Sequence, residues 1–543
     1  MHAKVRDYDD ITSFLGDFGR FQTAIWALMA VSAIPPGFMA LSMVFLAYVP
    51  EHHCKPSMNF TGNATDSEVS FHEQSSWVGP DMCSRYKVIG DSSETAGLGN
   101  ETEECVDGWV FSTERYSATI VSEWNLVCEN AWKVPFSIST YYIGVLIGSF
   151  ISGQLSDRFG RKPVFFWAMA IMTISALIQA ASVSWVMFCV INCVRGVAQI
   201  SNYITSLVLA SEILSQSARV TFSMLGHSLF FAIGYACLPL FAYLIQGWRM
   251  LLVVSAIPGL LYIPVWWVIP ESPRWLLQRG RVADAERVIR NAAKKNRVPT
   301  PEVIFTPDEC EEEQQTYNVL DLVRTTNMRN ITILNVFLWA AITMVFYGLS
   351  LNTSNMRGNA YLNSFFSAAI DIVASVAVWL LINQGVATHN PPLHAAVFAL
   401  LGKLGVSGAY SSIYLIATEL FPTVVRNMGL GVASTAARVG SIISPYVVYL
   451  GVYSKILPYI VFGAISLIAA AVSFLLPDTT NSKLPDHISQ VKPIRGNCHS
   501  PVAGLQGNEQ LRRQAVPKSA AVWQRPLLTE NCTATRITQR QHP

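Results

Sequence analysis

Two residues inside long apolar runs of this chain carry side chains that could bind an ionic ligand. Arg438 lies in the middle of the run STAARVGSIISPY. A guanidinium is costly in hydrocarbon, so Arg438 should face a cavity, where it could bind a carboxylate through two parallel hydrogen bonds. A structural pair between helices is the alternative role. Tyr203, in the sequence QISNY, offers an aromatic face of the kind that attracts a quaternary ammonium group.

Neutral oxygens beside Tyr203 could hold a small cation. Gln199 and Asn202 carry amide oxygens, which suit a sodium ion because sodium is a hard cation. Tyr446 follows Arg438 by about two helical turns and could line the same cavity. Most tyrosines of membrane proteins instead anchor helices at the interface, which is the alternative for Tyr446.

Pairs of opposite charges stand at the ends of apolar runs, at matching places in the two halves of the chain. Arg219 follows Glu212 by seven residues, and Arg426 follows Glu419 by the same spacing. Repeated halves around a central site are the usual plan of transporters. Glu419 could serve in such a gate or in ion coupling. The residues predicted to gate the cytoplasmic side are Asp157, Arg161, Glu212, Arg219 and Arg426.

The composition is that of a membrane protein. The 543 residues are 51% hydrophobic and 14% charged, whereas soluble domains carry about 25% charged residues. A formal net charge of +2 gives no sign of a nucleic-acid partner. The run ASEILSQS at 210–217 lacks the Gly-Lys pair of a phosphate-binding loop, so no nucleotide is expected. Without a metal-ligand cluster or a nucleophile motif, we expect no enzyme activity, no metal and no cofactor.

The apolar runs predict an all-α protein with about 11 transmembrane helices, because a span needs about 20 apolar residues. Three further charges lie inside these runs without an assigned role: Arg195, Asp371 and Lys403. The predicted segments are a cytosolic N-terminus at 1–20, the first span at 21–49, an extracellular loop at 50–135, the rest of a first bundle at 136–269, a basic, cytosolic helical loop at 270–330, a second bundle at 331–476 and a cytosolic, disordered tail at 477–543.

The loop at 50–135 has the composition of an extracellular segment. It holds 14 acidic residues against 5 Lys or Arg. It also carries three glycosylation sequons, at Asn59, Asn63 and Asn100. Small extracellular modules usually need disulfide bonds, and we expect them here, although free thiols are the alternative. Three pairings remain open for the four cysteines, Cys54, Cys83, Cys105 and Cys128.

Several motifs resemble a known superfamily and one of its branches. The link GQLSDRFGRKP at 153–163 lies between two apolar runs and resembles the loop between spans two and three of the major facilitator transporters, through the pattern G-x-L-x-D-R-x-G-R-[RK]. The motifs that resemble the organic ion transporter family, and its carnitine and zwitterion branch of novel organic cation transporters, are RDYDDITSFLGDFG at 6–19, VSEWNLVCEN at 121–130, AQISNY at 198–203, PESPRWLL at 270–277, TELFPTVVRNMG at 418–429 and ARVGSIISPYVVYLG at 437–451.

This resemblance implies the major facilitator fold, with two pseudo-symmetric helical bundles, in a multi-pass protein of the plasma membrane. It implies uptake of carnitine-like zwitterions and organic cations, coupled to sodium near Gln199, Asn202 and Glu419. The cation-only branch has an acid at the position of Arg438, so an arginine there favours a substrate with a negative group. A sodium-independent transporter of organic cations or ergothioneine is the alternative.

The chain departs from the resemblance at one place in its second bundle. After Leu381 it runs INQGVATHNPP and enters 393–421, which resembles span ten, so span nine and the basic loop before it are missing. We therefore expect eleven spans instead of twelve, and extended backbone at membrane depth between Gln384 and Pro392. A span-deficient form that does not transport is the alternative function.

Overall fold

The computed structural model of the chain describes residues 11–16, 18–55, 82–89, 97–302, 304–305, 321–355, 359–383, 403–422, 425–477 and 491–492. The α-helices of these ranges, in chain order, are α1 (Arg20–Val31), α2 (Ile34–Ala40), α3 (Met43–Leu46), α4 (Ile120–Glu123), α5 (Lys133–Phe159), α6 (Arg161–Ala180), α7 (Trp185–Ile213), α8 (Gln216–Thr221), α9 (Ser228–Leu244), α10 (Trp248–Tyr262), α11 (Pro273–Gln278), α12 (Val282–Asn296), α13 (Asp321–Arg324), α14 (Thr326–Leu351), α15 (Ala360–Asn383), α16 (Lys403–Leu420), α17 (Arg426–Tyr449) and α18 (Leu457–Ser473).

Seven described segments are long and apolar enough to cross a membrane. They are Arg20–Leu46, Cys128–Phe159, Arg161–Ala180, Leu225–Leu244, Trp248–Trp267, Thr326–Leu351 and Ala360–Ala377. Helices α7, α16 and α17 are more polar, because they carry candidate site residues, and α18 is shorter. These four helices and the seven apolar segments are together the candidates for the expected spans, and the number of about 11 stays a prediction.

The helices pack as two bundles. In the first, α7 packs against α5 and α6, and in the second, α14 packs against α17, α16 and α18. Glycines allow the closest approach, since a Cβ on Gly196 of α7 would lie 2.1 Å from the carbonyl oxygen of Tyr141 in α5. The main contacts between the bundles are those of α9 with α15 and of α5 with α17.

The buried apolar side chains show which ends of the bundles are joined. We call the ends beside residues 109–132 the loop side, and the ends beside 153–163 and 270–302 the link side. On the link side each bundle has its own core, one around Phe165 and Leu209 and the other around Leu322 and Phe421. The core on the loop side draws residues from both bundles and from the loop itself. The described state is therefore sealed between the bundles on the loop side.

The segment 50–132, here called the cap, contains the described β structure. Its strands are β1 (His52–Cys54), β2 (Ser84–Ile89), β3 (Gly97–Glu104) and β4 (Trp109–Phe111). β1 pairs antiparallel with β4, with His52 opposite Phe111, and β2 pairs antiparallel with β3. The structure joins Cys54 to Cys105 and Cys83 to Cys128, with Cα atoms 5.1 and 5.8 Å apart. Of the three possible pairings, this one links β1 to the end of β3, and it links the start of β2 to the residues just before α5.

The sequence predicted a helical segment at 270–330, and its described part contains α11 and α12. Trp275 and Leu276 of α11 pack against Ala285 of α12 in a small core of their own. The tail predicted as disordered lies outside the described residues, apart from 477 and 491–492.

Candidate functional site

A cavity lies between the two bundles, with an empty volume of about 1120 Å³ that is partly open to solvent. Its aromatic wall residues are Tyr141, Tyr142, Tyr203, Phe231, Phe346, Tyr347 and Tyr410. The other polar or charged side chains of the wall are Gln199, Ser228, Asp371, Ser375, Ser407 and Arg438.

The aromatic rings form a nearly continuous surface along the second bundle. Phe346 stacks on Tyr410 with ring centroids 4.7 Å apart, and it meets Tyr347 edge to face at 5.3 Å. Tyr347 in turn contacts Tyr142 of the first bundle at 5.0 Å. Such a surface presents the negative faces and the hydroxyl oxygens of several rings, which suit a cation without hydrogen-bond donors.

Two opposite charges face this cavity. Arg438 is 5% exposed, on the stretch of α17 that packs against α5. Its guanidinium acts electrostatically on the hydroxyls of Tyr142 and Tyr203. Asp371 of α15 is 8% exposed, and its carboxylate accepts a hydrogen bond from the hydroxyl of Ser407 in α16. The sequence had marked Asp371 as a charge within a span without giving it a role, because the apolar run alone does not show which way it faces.

Of the residues predicted to hold sodium, Gln199 lines the cavity and Asn202 does not. Asn202 is fully buried and donates from Nδ2 to the carbonyl oxygen of Phe165 at 3.1 Å, so it faces α6. Its Oδ1 has no hydrogen-bond partner among the described residues. Three positions separate the two residues, which turns Asn202 about 60° around the helix from Gln199. The side chain of Glu419 lies outside the described residues.

Tyr446 is placed away from the cavity wall. Its side chain is 41% exposed, and the residue of α17 that lines the cavity wall is Arg438. Eight residues carry a helix about 80° past two full turns, so Tyr446 points to a different face from Arg438. The expectation that Tyr446 lines the same cavity is therefore wrong for this state, and the interfacial role fits its exposure.

The link side carries an ionic cluster built from three of the predicted gate residues. Arg161 forms a hydrogen-bonded ion pair with Asp157, and its Nη2 donates to Oε1 of Glu212 at 3.2 Å. Arg219 donates from Nε to the carbonyl oxygen of Leu214 at 2.9 Å. The side chain of Arg426 lies outside the described residues.

Glu271, in the motif PESPRWLL, completes this cluster and was not predicted. Its Oε1 accepts from the backbone N–H groups of Arg161, Lys162 and Ser272, at 3.0, 3.1 and 2.9 Å. A carboxylate at the start of α6 is stabilised by the helix dipole. Burial raises the pKa of Glu271, and the three N–H donors oppose that rise. Glu271 thus fastens the helical segment after the first bundle to the link between α5 and α6.

An aromatic cluster seals the loop side, and no pattern in the sequence predicted it. Tyr361, at the start of α15, stacks on Phe45 of α3 with ring centroids 5.9 Å apart. It also contacts Tyr116 at 5.6 Å, and its hydroxyl donates to the carbonyl oxygen of Arg115 at 2.9 Å. Arg115 donates to the hydroxyl of Tyr48 at 3.1 Å. The cap, the first span and the second bundle therefore meet at Tyr361.

In the cap, buried Arg85 holds two acidic side chains. Its Nε donates to Glu103 at 2.7 Å and its Nη1 donates to Asp107 at 2.6 Å. Burial lowers the pKa of Arg85, and the two carboxylates more than offset this and raise it above its usual value. The sulfurs of Cys83 and Cys128 lie within 4.8 Å of a ring nitrogen of His52, but they are bonded to each other and offer no thiolate for a metal. Of the sequons, Asn100 lies in β3, whereas Asn59 and Asn63 lie outside the described residues.

Comparison with known proteins decides the family. Residues 112–384 match the profile of the family described as "Sugar (and other) transporter". The human protein named organic cation/carnitine transporter 2 is 44% identical over 532 residues, covering 91% of this chain and 96% of the relative. The mouse protein named solute carrier family 22 member 4 is 41% identical over 529 residues, covering 91% and 96%. The chain belongs to the organic cation/carnitine transporter family of the major facilitator superfamily.

Solved structures agree with this membership at the level of fold. An inward-open structure of the xylose transporter XylE from E. coli matches with a TM-score of 0.56, covering 85% of this chain and 98% of XylE. A second XylE structure, bound to 6-bromo-6-deoxy-D-glucose, matches with a TM-score of 0.54. Sequence identities of 14% and 15% limit the likeness to the fold. As a family member the chain is a multi-pass solute transporter of the plasma membrane and not an enzyme, as expected.

Proposed function

We propose that this transporter moves carnitine-like zwitterions and organic cations across the plasma membrane by alternating access, coupled to sodium. One observation carries the proposal: Arg438 and Asp371 face the same aromatic cavity, so the site offers a partner to each end of a zwitterion. The names of the relatives, organic cation/carnitine transporters, point to the same class of substrate.

The substrate carboxylate would bind Arg438, and the quaternary ammonium would bind near Asp371. A guanidinium can hold a carboxylate through two parallel bonds, whereas an ammonium without N–H groups needs a carboxylate or ring faces nearby. Tyr203 and Tyr347 lie in the same wall and supply such faces. A purely cationic substrate would use the aromatic surface and Asp371 without needing Arg438.

Alternating access fits the distribution of contacts between the bundles. The described state is closed on the loop side by the cluster around Tyr361 and keeps two separate cores on the link side. Opening to the other side would break the ring contacts of Tyr361. The cluster of Asp157, Arg161 and Glu212 would then be available to contact the second bundle, where Arg426 begins α17.

Sodium coupling rests on oxygens near the cavity. The amide of Gln199 reaches the wall, whereas Asn202 lies behind it, about one turn further along α7, and its Oδ1 has no hydrogen-bond partner in the part of the chain that the structure describes. Coupling between two ligands is reciprocal, so sodium must raise the affinity for carnitine by the factor by which carnitine raises the affinity for sodium.

Uptake of labelled carnitine and tetraethylammonium tests the proposal in cells that express the full chain, with sodium or with an equal concentration of N-methylglucamine. We expect carnitine uptake above that of mock-transfected cells, and a fall when sodium is replaced. Asp371→Asn should reduce tetraethylammonium uptake more than carnitine uptake, because carnitine keeps its contact with Arg438. Carnitine uptake that stays the same when sodium is replaced contradicts the coupling. Uptake of ergothioneine without uptake of carnitine favours the sodium-independent alternative.

A second candidate is the span-deficient form that does not transport. Tyr361 lies on the loop side and Asp371 half-way along α15, while Ser407 lies beside Asp371 and Phe421 reaches the link-side core. Helices α15 and α16 therefore run in the same direction, and nineteen residues join them, 384–402. The family profile match also ends at residue 384. Surface biotinylation beside the uptake assay tests this candidate, which predicts no uptake of any substrate even when uptake is corrected for the amount of surface protein.

A further inference from the structure

The hydroxyl groups of Tyr203 and Tyr347 are open to the cavity between the bundles. Tyr203 belongs to α7 of the first bundle and Tyr347 to α14 of the second, and both residues line the cavity wall. Neither hydroxyl has a hydrogen-bond partner within the described part of the chain, and neither oxygen is sealed off by packed protein. A ligand in the cavity can therefore reach both hydroxyls.

Two neighbouring tyrosines of the same wall differ in this respect. The hydroxyl oxygens of Tyr141 and Tyr142 are enclosed by protein and have no hydrogen-bond partner among the described residues. Each of these two residues is 2% exposed, against 9% for Tyr347. Tyr141 and Tyr142 thus contribute ring atoms to the wall, whereas Tyr203 and Tyr347 also contribute hydroxyl groups.

Both open hydroxyls lie within the electrostatic influence of Arg438, on α17. The positive charge of its guanidinium acts on the hydroxyl of Tyr203 and on that of Tyr347. The same charge would repel a sodium ion from this part of the cavity. The two hydroxyls therefore suit a negative group of a ligand better than they suit a cation.

A carboxylate that enters the cavity needs more donors than a single guanidinium supplies. An ionised carboxylate has two oxygens with about four lone-pair sites. A guanidinium that binds it through two parallel bonds uses two of these sites. The remaining sites lose their water in a largely aromatic cavity, which is costly unless other donors replace that water. Two tyrosine hydroxyls beside Arg438 are suitable replacements.

We propose that the hydroxyls of Tyr203 and Tyr347 donate to the substrate carboxylate beside the guanidinium of Arg438. The inference rests on the proposed function, because it starts from a carboxylate at Arg438. The ring faces of both tyrosines stay available to the quaternary ammonium. The first bundle would hold the carboxylate through Tyr203 and the second through Arg438 and Tyr347, so the negative end of a zwitterion would draw the two bundles together.

Carnitine binding to the purified full chain tests this assignment without requiring transport. A ligand that binds the folded state raises the midpoint of thermal unfolding as its concentration rises. We expect Tyr203→Phe and Tyr347→Phe each to weaken carnitine binding by about 10-fold or more, because each loses a hydrogen bond to a charged group. Tetraethylammonium has no carboxylate, and it should bind both variants as tightly as it binds the wild type because the rings remain.

Tyr262→Phe is the matched control, because it removes a tyrosine hydroxyl that is not part of the cavity wall. The hydroxyl of Tyr262 donates to the carbonyl oxygen of Leu28, at 2.9 Å, inside the first bundle. This variant should unfold at a lower midpoint without ligand and keep the full response to carnitine. Tyr347→Ala removes the ring as well as the hydroxyl, so it should weaken the binding of both carnitine and tetraethylammonium.

The outcomes separate this assignment from the proposed function. A wild type that binds carnitine, with unchanged affinity in both phenylalanine variants, would overturn the assignment and leave the proposed function in place. A loss in one variant alone would remove the other tyrosine from the site. Equal losses for carnitine and tetraethylammonium would indicate damage to the aromatic wall and also overturn it. A wild type that binds tetraethylammonium but no carnitine would contradict both the assignment and the proposed zwitterionic substrate.

Discussion

At the scale of single residues, we expect Arg438 to distinguish zwitterionic substrates from simple cations. We expect Arg438→Ala to lower carnitine uptake by about 10- to 100-fold, since a hydrogen bond to a charged group contributes about 1.5–3 kcal/mol. Tetraethylammonium has no carboxylate, so its uptake should change much less. The measurement is initial uptake of both compounds by the same cells, corrected for surface protein. Equal losses for both would indicate a structural role for Arg438.

His52 should make the cap sensitive to acid. Burial lowers the pKa of His52 below its ordinary value, against the opposing effect of its hydrogen bond to the carbonyl of Pro50. A group with a lowered folded-state pKa contributes stability above its unfolded pKa, about 6.5, and this contribution is lost as the pH falls through both values.

The unfolding midpoint of the wild type should therefore drop between pH 7.5 and pH 5. In His52→Phe it should drop less, because phenylalanine keeps the ring contacts with Trp109 and Phe111 but cannot be protonated. The two variants are compared in parallel, so other titrating groups cancel. Identical pH profiles would exclude a contribution from His52.

The sequence predicted which types of residue form the site better than it predicted which way their side chains point. Arg438, Tyr203 and Gln199 reach the cavity because a charge or a polar group in an apolar run has few other places to go. Asn202 and Tyr446 were placed in the same site by nearness along the helix. A helix turns about 100° per residue, so the depth of a side chain can be predicted from the chain while its face depends on the neighbouring helices.

At the scale of elements, the link between α5 and α6 depends on Gly160. Its φ of 107° is a conformation that favours glycine, and a Cβ there would lie 2.5 Å from Oε2 of Glu271. Gly160→Ala should destabilise the protein by about 1–3 kcal/mol, because it strains the backbone and displaces Glu271 from the start of α6. The control is Gly153→Ala, whose Cβ would meet nothing within 4 Å. Similar unfolding midpoints for both variants would contradict this reading of the link.

The cap should be glycosylated and cross-linked on the outside of the cell. Its sequons and its four cysteines lie in one acidic segment, and the structure pairs all four cysteines. Treatment with an amidase that removes N-linked glycans should increase the gel mobility of the protein from mammalian cells. A mobility that does not change, together with four thiols open to labelling without reductant, would place the segment elsewhere.

Composition made the cap predictable as a unit, but not its architecture. Acidic residues, sequons and cysteines marked the limits of the cap, because each of them is typical of an extracellular segment whatever its fold. The pairing of β1 with β4 joins residues more than fifty positions apart. Arg85 lies opposite Glu103 where β2 pairs with β3, so neither the strands nor this ion pair could be predicted from local sequence pattern.

At the scale of the whole molecule, we expect the connection between α15 and α16 to limit activity. The expected extended backbone at Gln384–Pro392 lies outside the described residues. Nineteen residues must lead from the link side back to the depth of Ser407, and backbone groups at membrane depth need hydrogen-bond partners. Inserting span nine of a relative, with its preceding loop, should therefore raise surface expression and carnitine uptake several-fold.

The matched control for this insertion is a flexible polar linker of equal length at the same place. It should not rescue uptake, because it cannot cross the membrane as a helix. Surface biotinylation and uptake are measured on the same cells. If the unmodified chain transports carnitine as well as the form with the inserted span, the missing span is not what limits it.

Hydropathy marks candidate spans, because a helix that crosses a membrane needs about 20 apolar residues. It could not predict which side of the molecule is closed. That property depends on partners such as Tyr361 and Arg115, which are 246 positions apart. Their contact involves one ring and one backbone carbonyl, and neither differs from many others along the chain.

The contact between Tyr361 and Arg115 has a pharmacological consequence. It joins the cap, the segment that antibodies and lectins would reach first, to α15, the helix expected to move when the cavity opens to the other side of the membrane. A binding protein that grips the cap and the start of α15 together would hold the carrier in one state without entering the cavity. Its inhibition would be non-competitive, so raising the substrate concentration would not relieve it, and the inhibitor would never need to cross the membrane.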